Sequence, residues 1–336
     1  MSEDHVSTIF HEAMQSAFEN VYREKIEAGI SEEEIAEKLE SIDMTEMFTK
    51  HLDMMTDSTF DNLKRSMFEE VLYWRAETNE FIAHQEQKWG KCFVASEAMY
   101  VIAVEASQAY GQYLHENDVD GKDKKQFLFL ALREINARTC QIFLEVLHLM
   151  KLGFADGAYA RWRSMYELSI IAQFIYNNGE TVAEAFFDAV DTEDRYDWAK
   201  VAPCFMTAKK KHISFSDIQA QCDFASSEWK AQYDLANKIV HASPQGTFKR
   251  LGNKEPLGVL PVGHSDYGIT TPAEHSAITL TRIFTLFISL FPYGDGIMAA
   301  RVMDKWVDLI REFYFTTHDE VFGDEKFEPI IKTVSI

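Results

Sequence analysis

Apolar side chains recur every three or four residues along nearly the whole chain, and they almost never alternate with polar ones, so the pattern is helical from end to end. Residues 3–28 predict a first helix. Ser31-Glu32-Glu33-Glu34 has the form of a capping box and starts a second, with Ile35, Leu39 and Ile42 on one side. A longer helix is predicted over 58–88, where Phe60, Leu63, Met67, Val71, Trp74 and Phe81 fall on one stripe, and another over 92–115. Helices follow at 124–152, 153–179, 181–202 (where Pro203 marks a break), 226–242, 272–291 and 294–317. Two stretches lack the period. Residues 117–123 are polar and contain Gly121, which makes them the expected linker. Residues 244–269 hold three prolines and five glycines and predict a long irregular loop with room for a short hairpin. The expected fold is an all-α, multi-helix bundle with an N-terminal helical extension and one long irregular loop. Its expected parts are an acidic helical region at 1–118, a larger helical domain at 122–318 and a tail at 319–336.

The segment from Gly153 to Gly179 stands apart. Its apolar residues, among them Tyr159, Trp162, Met165, Tyr166, Ile170, Phe174 and Ile175, lie nearly all round the helix, as in a helix that runs through the middle of a bundle. It nevertheless carries Arg161, Arg163 and Glu167. Arg163 and Glu167 are four residues apart and share a face that Ile170, Ile171 and Phe174 continue. An ion pair in an apolar stripe costs desolvation and needs further polar partners, so this helix is the first place to look for a site.

Composition narrows the function. The net charge is −21 and the basic residues are dispersed, which argues against general DNA binding. Residues 1–50 hold 13 acidic side chains against 4 basic ones. The densest basic run is Lys209-Lys210-Lys211-His212, followed in a later loop by Lys249, Arg250 and Lys254, and a short run of this kind is more often a solvated loop than a binding mouth. No stretch of about 18 apolar residues is free of charge, and the first residues lack a basic-then-apolar leader, so no membrane partner is expected. Cys92, Cys140, Cys204 and Cys222 lie far apart in sequence, which together with the missing leader fits free thiols in the cytoplasm.

Candidate chemistry centres on a second helix. Trp229, Tyr233, Asn237 and His241 are spaced by four and line one stripe, and His241 stands where the helix runs out into the glycine-proline loop. The negative end of the helix dipole favours imidazolium, so His241 is placed to act as a general acid or base; the competing reading is a histidine tied to a helix-end carbonyl. Glu145-Val146-Leu147-His148 is one Glu-x-x-His pair, but the second pair that a di-iron bundle requires is missing, so neither a metal nor a cofactor is expected. His-Glu-x-x-His, phosphate-cradling glycine loops and Gly-x-Ser-x-Gly elbows do not occur.

The central segment, GFADGAYARWRSMYELSIIAQFIYNNG, followed by a helix ending YDLANKIVHASPQG, resembles the bacterial family DUF5677 (domain of unknown function 5677). The matching residues are Arg163, Ser164, Glu167, Tyr233, His241 and Gly246, and the resemblance covers roughly 125–290. That family in turn is similar to the HEPN class (higher eukaryote and prokaryote nucleotide-binding) of helical bundles, many of which are metal-independent ribonucleases of toxin and antiviral systems that form their site on dimerisation. The class signature places an Arg four to six residues before the His. Here Asp234 to Lys238 supply none, so Arg161 or Arg163 would have to substitute from the neighbouring helix.

What the resemblance implies is an RNA- or nucleotide-directed protein, a metal-independent endoribonuclease of a stress or phage-defence system, working as a homodimer. His241 would be general acid/base, Arg161 or Arg163 would stabilise charge on the phosphorane, Glu167 would orient the Arg, and Asn237 and Tyr233 would fix the His. Lys249 and Arg250 would touch phosphates at the rim. The alternative is a non-catalytic interaction or ligand-binding module in which Arg163 and Glu167 form a structural lock. A third reading gathers His241, His264 and Tyr267 around a small-molecule pocket. The catalytic reading depends on whether the charged groups and His241 meet.

Overall fold

The computed structural model describes residues 15, 19–20, 22–31, 34–35, 44–117, 119, 121–193, 195–206, 210–241, 243–252 and 262–323, leaving aside the side chains of 44–48 and 51. Among the described residues the structure is helical, with no strand, and the chain is an all-α, multi-helix bundle. The chain divides into two units, 1–78 and 79–336. Within the polar stretch that the sequence offered as a linker, Gly121 is a turn residue at φ 80° and leads into a short 3-10 segment at Lys122–Lys125.

In the first unit residues 22–27 are helical, and the Glu34 N–H reaches the Ser31 hydroxyl at 3.4 Å, one half of the expected capping box. Most of the predicted helices over 3–28 and 31–42 lies outside the described residues, as do 253–261 of the long loop and 324–336 of the tail.

The helix α1 spans Met44–Glu116, so the two helices expected at 58–88 and 92–115 are one. Gly90 falls at the expected gap but continues the helix, because a glycine inside a helix costs only about 1 kcal/mol and does not by itself end it. From Trp89 onward the stripe of α1 (Trp89, Phe93, Met99, Tyr110, Leu114) is buried in the second unit.

The remaining helices of that unit are α2 (Gln126–Lys151), α3 (Ala155–Asn178), α4 (Glu180–Asp188), the short α5 (Pro203–Met206) and α6 (Phe215–Gln219), α7 (Ser227–Val240), the short α8 (Pro244–Phe248), α9 (Thr270–Ile288) and α10 (Gly294–Phe322). The helix α3 packs on α2, α9 and α7, and α9 also packs on α2 and α10. The expectation for α3 holds: it begins after Gly153 (φ 71°), ends at Gly179 (φ 79°), and buries Tyr159, Trp162, Met165, Tyr166, Ile170, Phe174 and Ile175. Two of its buried aromatic polar atoms are matched. Trp162 Nε1 donates to Thr279 Oγ1 at 3.1 Å, and Tyr159 Oη donates to Gln232 Oε1 at 2.8 Å. Truncating an aromatic side chain packed in this way costs about 3–5 kcal/mol. Among the described residues no helix is long and apolar enough to cross a membrane.

The helix predicted over 181–202 is shorter than its pattern suggests. It stops at Asp188, passes through 3-10 turns at Ala189–Asp191 and Asp197–Val201, and Pro203 opens α5 instead of marking a break. Glu180 fixes the other end of α4. Its carboxylate turns back to the start of α2 and accepts from the N–H groups of Phe127 (2.8 Å) and Leu128 (2.9 Å), donors that a helix N-terminus leaves unpaired.

Candidate functional site

The interruption after α4 opens a cleft. Its volume is about 400 Å³, and its walls are α2 on one side (Leu130, Ala131, Arg133, Glu134) and the end of α4 with the turns that follow on the other (Phe186, Phe187, Val190, Arg195, Trp198). Phe187 and Val190 are 51% and 77% exposed, unusual for large apolar side chains beside a core. The floor is rigid. Trp198 packs edge-on to Phe186 at 4.9 Å and to Phe174 at 6.0 Å, and its Nε1 donates to the Arg195 carbonyl at 3.2 Å. Asp197 pins the same turn by accepting from Lys200 Nζ at 2.6 Å and from the Ile213 N–H at 2.9 Å. The Lys200 contact, then the Ile213 N–H, holds the Asp197 carboxyl down at about 2.

At the mouth Arg195 connects the cleft to the polar cluster of α3. Arg163 Nη2 donates to Glu167 Oε1 at 2.7 Å, Tyr233 Oη donates to the same oxygen at 2.8 Å, and Arg195 Nη2 lies 3.7 Å from Glu167 Oε2. The Arg163 and Glu167 side chains are 22% and 14% exposed, that of Arg195 72%. Burial, reinforced by the bond to Glu167, pushes the Tyr233 phenol up to about 12, so it stays protonated and donates. Glu167 is therefore an acceptor with two close donors and one loose one.

The other predicted site residues disperse. Arg161 lies on a different side of α3 from Arg163 and bonds Glu145 of α2, with its Nη1 3.4 Å from Ser164 Oγ. Arg138 Nη1 adds a contact to Glu145 at 3.8 Å, and the Arg161 bond holds the Glu145 carboxyl below its usual range. Glu145 is thus engaged by arginines, and His148 is exposed. Among the described residues no group of three or more His, Cys, Asp or Glu is placed to hold a metal ion.

His241 caps α7. Its N–H donates to the Asn237 carbonyl at 3.0 Å and its side chain is exposed. It follows Tyr233 by eight residues, about 12 Å along the helix axis. Among the described residues no hydrogen bond, ion pair or ring contact joins it to Arg161, Arg163 or Glu167, whose partners are Glu145, Tyr233 and Arg195. Asn237 is half-buried, and Lys249 and Arg250 are exposed where α8 ends.

His264 and Tyr267 go elsewhere in the unit. His264 Nδ1 is 2.7 Å from the Leu152 carbonyl, and its ring stacks on Phe81 at 5.0 Å and lies 5.1 Å from Phe154, which fastens the loop beside Gly153. Tyr267 packs on Phe322 at 5.1 Å. Two members of the basic run are tied down: Lys210 bonds Asp217, and His212 Nδ1 is 3.2 Å from Asp197 Oδ2; Lys211 is exposed, and Lys209 lies outside the described residues. Gly246 serves packing, since a Cβ there would sit 2.1 Å from the Lys238 carbonyl oxygen.

Sequence reasoning missed Arg195, Phe187, Val190 and Trp198. No signal in the sequence marked them, because the cleft exists only where the helix expected over 181–202 gives way to turns.

No curated protein and no solved structure matches the chain. The cleft, Arg163, Glu167 and Arg195 all fall within residues 130–231, whereas Tyr233 and His241 fall just beyond. It is this segment, residues 130–231, that matches the model of DUF5677, a family of unknown function, as the residues around Arg163 and Glu167 had indicated.

Proposed function

We propose that this chain is a ligand-binding module whose site is the cleft between α2 and the turns after α4. The observation that carries the reading is an apolar hollow of about 400 Å³, with Phe187 and Val190 bare on its wall and polar groups confined to its rim. Binding sites for small molecules have this size and this division between apolar wall and a few placed polar groups. The Arg163–Glu167 pair then acts as a lock that fixes the helix behind the rim, as in the alternative drawn from the sequence. An RNA-directed, HEPN-like ribonuclease role would require His241 beside a guanidinium group, and no distance among the described residues favours it.

The test uses N-phenylnaphthylamine, a neutral dye that fluoresces in apolar surroundings. The intact chain should bind it saturably, and Val190→Asp, a charge placed on an already exposed wall position, should weaken binding at least tenfold without lowering Tm. Equal dye binding by the two proteins, or none by either, would remove the cleft as a binding site.

A further inference from the structure

We infer that the occupant of the cleft is a small amphipathic carboxylate, with its chain against Phe187, Val190 and Trp198 and its carboxylate held by Arg195. The inference rests on the cleft being a binding site and adds the chemistry of the ligand.

The rim carries three charged groups, Arg133, Glu134 and Arg195. Arg133 and Glu134 neutralise each other, with Arg133 Nη2 and Nε donating to Glu134 Oε1 at 2.6 and 3.0 Å. Arg195 is the rim cation whose charge is matched only loosely, on a chain whose net charge is −21. Among the described residues its carboxylate neighbour is Glu167, which is beyond hydrogen-bond range at 3.7 Å and already accepts from Arg163 and Tyr233. Arg195 can therefore turn from Glu167 to an incoming anion without leaving Glu167 unsatisfied. A guanidinium can grip a planar carboxylate through two parallel N–H groups, and a carboxylate is the anionic head that an alkyl chain of this size commonly carries. A cationic head would meet Arg195 unfavourably, and a neutral one would leave its donors with water. The apolar wall directly below the rim then selects for a hydrocarbon chain attached to that head.

The experiment displaces N-phenylnaphthylamine from the full chain with octanoate, octanol and octylamine. Octanoate should displace the dye at a concentration at least tenfold lower than octanol, and octylamine should be the weakest. In Arg195→Gln the octanoate advantage should vanish while octanol displaces as before. Dye binding with octanoate no better than octanol, or an octanoate advantage that survives Arg195→Gln, would overturn the assignment of the head group and leave the cleft as a site for neutral ligands. No dye binding at all would instead overturn the proposed function beneath it.

Discussion

His275 lies with its imidazole fully buried among aromatic rings, 4.9 Å from Trp162, 5.2 Å from Trp229 and 5.8 Å from Tyr159. Burial pushes it down to about 3, with the Thr271 backbone offsetting only part of the effect and Arg311 adding to it. The folded chain thus holds it neutral, whereas in the unfolded chain it titrates near 6.5. As pH falls below that value the unfolded state takes up a proton that the folded state refuses, until about 3. The stability is present above the unfolded value and is lost on acidification across this window. Tm should fall more between about pH 7 and about pH 4 in the wild type than in His275→Phe, measured by calorimetry in matched buffers. Parallel curves for the two proteins would show that this histidine does not titrate as argued. Nothing in the local sequence, TTPAEHSAITL, distinguishes His275 from the exposed histidines. Its character comes from α3 and α7, more than thirty residues away in sequence, and only assembly creates it.

At the scale of elements, what was legible depended on how local the cause was. The Arg163–Glu167 pair follows from four-residue spacing on one helix, and the ends of α3 follow from Gly153 and Gly179. The break after Asp188 was not legible, because neither glycine nor proline marks it; the Asp197 contacts to Lys200 and Ile213 pin the turn that follows. Arg195 was missed for the same reason, since it meets Glu167 only because that turn exists. The cluster joins elements: Arg163 and Glu167 stand on α3, and Tyr233 bonds Glu167 from α7. Removing one partner of a pair this buried leaves the other charge uncompensated, and Arg163 Nε already lacks a partner. Arg163→Ala should therefore lower unfolding stability by about 3 kcal/mol. Tyr233→Phe, which removes one hydrogen bond and keeps the ring, should cost about 1 kcal/mol. Urea titration reads both, and an Arg163→Ala loss no larger than that of Tyr233→Phe would mean the pair is not a lock.

Across the molecule the all-α class was legible because helical periodicity repeats in almost every segment, but the division of the chain was not. It falls between Thr78 and Asn79, inside α1, where composition does not change and no breaker stands. The physical difference is what covers the stripe. Before Thr78 the side chains of Phe60, Leu63, Phe68 and Trp74 are exposed, and from Gln85 onward those of Trp89, Phe93, Met99 and Tyr110 are buried. Trp89 lies 5.9 Å from Tyr314, Cys92 Sγ 3.3 Å from Thr317 Oγ1, and Trp306 Nε1 donates to the Ala95 carbonyl at 2.7 Å, so this part of α1 is core to the second unit. A chain that starts at Asn79 should accordingly remain helical, unfold in one cooperative urea transition and bind N-phenylnaphthylamine as the full chain does. A chain that starts at Val94 also loses Trp89 and Phe93, each costing about 3–5 kcal/mol when truncated, and should unfold at much lower urea or fail to fold. If the two truncations behave alike, either both cooperative or both collapsed, the boundary at Thr78 does not separate a self-sufficient core from the helix that enters it.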